Sequence, residues 1–192
     1  MSSPTLYTIE VPAGYRSREI ALFVAQMDDQ SRLRSEALAG VTPGELEWQV
    51  RPGVNTIGML LAHSAIAEAH WMEIGPLGLA ASRMPEVLGL PDTDADGMPL
   101  PPGGAAPANL RGRDLAYFEG LLLRARDHTR RVSMALGDAD LERRVTRTRP
   151  DGTQRAFSLR WMYYHLLEHE AGHFGQILLV RHLYRTRNGE QP

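Results

Sequence analysis

From Ser158 to Tyr184 the chain runs without a proline, and its apolar residues return at helical spacing. Met162, Leu166, Ile177, Val180 and Tyr184 fall on one side of a helix. Three further stretches repeat the pattern. Ile20, Phe23, Val24, Met27 and Leu38 mark a helix from about Ser17 to Ala39, where Gly40 stops it. Ile57, Leu60, Leu61, Ser64, Ala67 and Trp71 mark a second, capped by Asn55 or Thr56 and ending near Ile74. Between Arg113 and Leu136, the residues Leu115, Phe118, Leu122, Ala125, Thr129, Val132 and Leu136 recur at bundle-seam spacing. Thr42-Pro43-Gly44-Glu45 is a capping box with proline at the first helical position, opening one short turn. Weak alternation from Val145 to Phe157 around Pro150-Asp151-Gly152 predicts only a turn or small hairpin, and Phe157 and Met162 could staple the start of the last helix. Four long helices without an internal repeat predict an all-α four-helix bundle. It forms a single domain over residues 1–192, with its core at about 17–185.

The connection between the second and third helices, residues 75–109, holds seven prolines and six glycines. It reads as a long loop with at most a helical turn, able to cover the mouth of a site. Within it, Asp92-Thr93-Asp94-Ala95-Asp96-Gly97 imitates the start of a calcium loop. Its twelfth position would be Gly103 rather than glutamate, so a solvated acidic turn is expected.

Composition narrows the chemistry. There is no cysteine, and all 21 basic residues are arginine. Disulfides, thiolate nucleophiles, cysteine-held metals, Schiff bases and phosphate-loop lysines are thereby excluded. A net charge of −2 argues against nucleic acid or an anionic membrane as partner. No apolar run approaches the roughly 18 residues of a membrane helix. Met1 to Gly14 lacks a basic stretch followed by an apolar one, so no secretory signal is expected. A cytoplasmic protein acting on a small molecule fits these limits.

Seven histidines remain, and His165, His169 and His173 follow one another at steps of four. Imidazoles four apart lie about 6 Å apart along a helix and can share one ion, whereas His165 and His173, about 12 Å apart, cannot. Advancing about 100° per residue from Met162, Leu166 falls near 40°, Ile177 near 60° and Val180 near 0°. His169 falls near 340° and His173 near 20°, at the centre of that stripe; His165, near 300°, lies at its edge. Unpaired imidazoles facing the interior are costly, and coordination satisfies them. A lone histidine on an apolar face is usually a core residue, but a pair with a third within reach is a ligand pattern. By phase, His63 is the best third ligand and His128 the next. His70 could line the same side, and His182 near the chain end is expected in solvent.

His169-Glu170-Ala171-Gly172-His173 also fits the zinc-peptidase pattern, with Glu170 as general base. Its surroundings do not follow: Gln176 and Leu179 stand where the extended motif needs glycine and histidine, and the only downstream glutamate is Glu190. The chain instead resembles the DinB-like (YfiT/DinB) superfamily of bacterial four-helix bundles from about Ala21 to Tyr184. Three stretches carry the resemblance: Leu38 to Leu46, Asn55 to His63, and His165-Leu166-Leu167-Glu168-His169-Glu170-Ala171-Gly172-His173-Phe174-Gly175-Gln176-Ile177. Two departures stand out. Gly172 replaces a histidine common in relatives, and Phe174 replaces a frequent arginine, removing a positive charge beside the site.

The resemblance implies an up-down-down-up bundle in which His63, His169 and His173 hold a divalent ion of zinc, nickel or iron type. His165 would stand outside the ligand set. Three imidazoles leave positions open for water or substrate, as in catalytic sites. Relatives of this kind resemble thiol S-transferases using bacillithiol, mycothiol or glutathione, metal-dependent hydrolases, or a mycothiol-dependent isomerase. A metal-dependent thiol transferase or detoxification enzyme is the leading expectation. A hydrolase and a non-catalytic metal-binding stress protein are the alternatives. Glu170, Gln176 and Tyr163 are candidates for proton handling. A homodimer is expected, with Trp48, Trp71 and Trp161 as candidate contact residues.

Overall fold

The computed structural model describes residues 6–90, 95–148 and 151–189. Six α-helices are present among them: α1 (Arg18–Ala37), α2 (Pro43–Glu47), α3 (Ile57–Ile74), α4 (Met84–Leu88), α5 (Leu115–Met134) and α6 (Leu159–Arg187). The helix starts follow the capping residues. The side chains of Ser17, Thr42, Thr56, Asp114 and Ser158 each accept a hydrogen bond from a backbone N–H in the first turn. Strands β1 (Arg144–Thr148) and β2 (Gln154–Ser158) pair antiparallel as the small hairpin before α6. Phe157 lays its ring on Trp161, the centroids 5.0 Å apart, at the start of that helix.

The long helices pack α3 against α5 and α6, and α1 against α6, with a lesser contact of α1 to α5. Helix α3 was expected to bury one stripe. It is instead buried on nearly every side, from Ile57 and Met59 through Glu73 and Ile74. The reason is the proline-rich connection. Its Met84, Leu88, Leu90, Ala95, Ala106 and Leu110 are buried, and α4 packs on α3 and α5. A helix apolar all round needs cover on all sides, and this connector supplies it. The close approach of α5 to α3 also depends on Gly58. A Cβ there would stand 2.7 Å from the buried Phe118 ring and 3.2 Å from the Leu46 carbonyl oxygen.

The core divides into two apolar clusters. One gathers Leu38, Leu60, Leu61, Phe118, Ala125, Ile177 and Val180. The other gathers Ile20, Met27, Met72, Leu136, Leu159, Met162, Tyr163 and Leu166. Between the two clusters, α1, α5 and α6 each bury a charged residue: Arg34, Arg126 and Glu170. Arg126 of α5 donates to Glu68 of α3 (2.7 Å), Glu170 of α6 (3.0 Å) and Asp28 of α1 (2.9 Å). Arg34 and Ser31 of α1 also donate to Glu170. Burial opposes the Arg126 charge, but Glu68 and Glu170 outweigh it and hold the guanidinium protonated. All four long helices thus contribute to one ion network. The α5 seam read from apolar spacing left out Arg126 and Ser133, both of which are buried.

Removing one partner of a buried network strands the others without solvent. Arg126→Ala is expected to lower unfolding stability by about 3–5 kcal/mol, read from urea denaturation. Arg130→Ala, which removes a partly exposed contact to Asp28, is expected to cost under about 1 kcal/mol.

Candidate metal centre

His63 projects from the middle of α3, and His169 and His173 from successive turns of α6. Their ligand atoms lie within 4.8 Å of one another, forming a group that could hold a metal ion. The Nε2 atom of His169 is 3.1 Å from that of His63 and 3.0 Å from that of His173. Two nitrogens bonded to one ion at about 2.0–2.1 Å stand about 3.0–3.4 Å apart, which matches this spacing.

The outer nitrogens establish which atoms face inward. Nδ1 of His63 is 2.7 Å from Asp96 Oδ2, and Nδ1 of His173 is 3.1 Å from Gln176 Oε1. A carboxylate and an amide carbonyl both accept, so each Nδ1 carries the proton and each Nε2 presents a lone pair. His169 can donate to only one of the two. The converging lone pairs therefore fit a cation. Burial, with His173, His63 and His165 as neighbours, pushes His169 down to about 3, so it stays neutral and ready to ligate. Burial also lowers His173, against the opposing hydrogen bond to Gln176.

The other sequence-derived candidates separate from this cluster. Glu170 turns its carboxylate onto Arg34, Arg126 and Ser31. Tyr163 is buried in the second apolar cluster, its hydroxyl 2.6 Å from Ser133 Oγ, and burial pushes it up to about 12. His128 sits 4.0 Å from Glu73 Oε1, away from the three histidines, and burial lowers its pKa. His165 stacks on Trp161 at 4.7 Å, His70 meets Trp71 edge-on, and His182 is exposed. Trp48 packs edge-on against Tyr184. The buried face of α6 is centred on Leu159, Leu166 and Ile177, about 60° round from Met162 rather than at it. Glu170 falls near 80° and is drawn inside, leaving His169 and His173 half-buried at the edge beside α3.

Asp96 is the residue that sequence spacing did not single out. It belongs to the acidic turn expected to be solvated, yet it is buried, and its second oxygen accepts from the Met98 N–H at 2.9 Å. Asp92, Thr93 and Asp94 of that turn lie outside the described residues, as do Pro150 and Glu190. A ligating histidine needs an acceptor at its outer nitrogen, and that requirement is the one signal pointing to a loop carboxylate.

Substituting His63, His169 or His173 by alanine is expected to lower metal content below that of the native chain, measured by elemental analysis. Asp96→Ala, which leaves all three imidazoles in place, is expected to weaken metal affinity about 10–100-fold in a chelator competition.

Among curated proteins, none matches the chain. The family model of the DinB superfamily matches residues 26–177, a span that includes the three histidines, Asp96 and Gln176. The chain belongs to the DinB superfamily.

Proposed function

We propose that this chain is a metal-dependent enzyme in which His63, His169 and His173 hold a divalent ion, and that its reaction is the transfer of a low-molecular-weight thiol to an electrophile. The observation that carries the reading is an incomplete ligand set on an open face. Among the described residues three imidazoles converge with no carboxylate in the group, and the His63 side chain remains 26% exposed. Sites that serve structure close their coordination; sites that serve chemistry leave positions for a reactant. A four-helix bundle in up-down-down-up order, built from α1, α3, α5 and α6, is part of the same reading.

A divalent ion there would act as a Lewis acid, lowering the pKa of a thiol or water that reaches it. The protein's own contribution is orientation. Asp96 and Gln176 fix the tautomers of His63 and His173, and His169 stays neutral between them. Because the chain has no cysteine, a reacting thiol comes from outside. Zinc, nickel and iron-type ions all suit an imidazole set.

The test is conjugation of monochlorobimane to glutathione, bacillithiol or mycothiol. The metal-loaded protein is expected to exceed its chelated form by at least about tenfold with one of these thiols, and His173→Ala to fall to the chelated rate. No metal-dependent rate with any of them overturns thiol transfer. Ester hydrolysis without thiol, lost in the same variant, would replace it with a hydrolase.

A further inference from the structure

Along the seam of α3 and α6, beyond His165, lies a groove of about 480 Å³. Its walls are aromatic. Phe157, Trp161 and His165 form a near-parallel stack, with centroid spacings of 5.0 and 4.7 Å. Trp71 stands edge-on to Phe157 and His165, each 5.4 Å away. The stack leads to the metal centre, since the His165 ring is 5.9 Å from that of His169.

Two arginines share the groove with these rings. Arg147 and Arg155 oppose each other across the hairpin, and two residues along each strand the same face carries the Val145 and Phe157 pair. Both arginines line the groove. Like charges directly opposed on paired strands are unfavourable. Among the described residues neither arginine is paired with a carboxylate. Glu168, the one carboxylate in the lining, is 3.3 Å from His165 Nδ1.

We propose that this groove binds an aromatic carboxylate, with Trp71 and the open edge of Trp161 taking the ring, Arg147 and Arg155 taking the carboxylate, and the far end of the molecule reaching the three histidines. The volume suits a small organic molecule. Parallel and edge-on rings select a flat apolar body, and guanidinium pairs select a carboxylate by charge-assisted, two-pronged hydrogen bonding. This assignment rests on the reading of the histidine centre as a reaction site, for which the groove is the electrophile's subsite.

Calorimetric titration with 2-naphthoate, its neutral isostere 2-naphthamide, and cyclohexanecarboxylate tests it. The naphthoate is expected to bind about tenfold more tightly than either comparison ligand. Arg147→Gln and Arg155→Gln are each expected to weaken naphthoate about three- to tenfold while leaving the amide unchanged. Binding should persist after chelation and in His63→Ala. The proposal is overturned if acid and amide bind alike, or if the arginine variants weaken both ligands equally or neither. It is also overturned if chelation abolishes naphthoate binding that the arginine variants leave intact, since the carboxylate would then be a metal ligand. A centre that holds no ion leaves naphthoate binding in place, so its failure is separable from that of the groove.

Discussion

The guanidinium of Arg126, buried at the level where the two apolar clusters meet, sets the register of the long helices. It reaches Glu68, Glu170 and Asp28 on three different helices, and Arg34 closes the network onto Glu170. Apolar side chains tolerate sliding, because Leu against Leu one turn along is still a contact. Buried charges do not, because a displaced carboxylate loses its partner and finds no water. The layer adds little net stability over an apolar substitute, but it admits one alignment of the helices.

The histidine cluster inherits that alignment. Glu170 follows His169 directly, so turning α6 to bring Glu170 onto Arg126 carries His169 about 100° and His173 about 60° round, toward α3. On α3, Glu68 faces the ions while His63, five residues earlier, faces the histidines of α6. The same two helices therefore meet through a salt-bridged interior and an imidazole edge. Orientation of the imidazoles then comes from two sources. Gln176 lies one turn beyond His173 on its own helix. Asp96 arrives from the connector, whose backbone is held by Asn109 donating to the Ala95 carbonyl at 2.8 Å. The connector thus covers α3 with apolar residues and contributes a carboxylate to His63.

The helices were legible because their signals are local. Apolar spacing, with the caps at Thr56 and Ser158, located all four long helices to within a few residues. The pair His169 and His173 was legible for the same reason, since their spacing is a property of one helix. The charge layer was not. No local pattern marks Arg34, Glu68 or Arg126, and their burial is explained by the network that joins them with Glu170. Glu170 drew notice as the glutamate of a peptidase pattern, whereas its carboxylate is committed to two arginines.

The sequence by itself determined the helices, the spacing of the histidine pair on the last one and the absence of any internal thiol. Which face of α6 turns inward, which distant carboxylate meets His63, and which arginines line the aromatic groove were decided only by tertiary structure. Helical period and residue type are properties of neighbouring residues. Asp96 reaches His63 across 33 positions, and Arg126 reaches Glu170 across 44. Pairings at that separation depend on how buried charges satisfy one another, which no local pattern encodes.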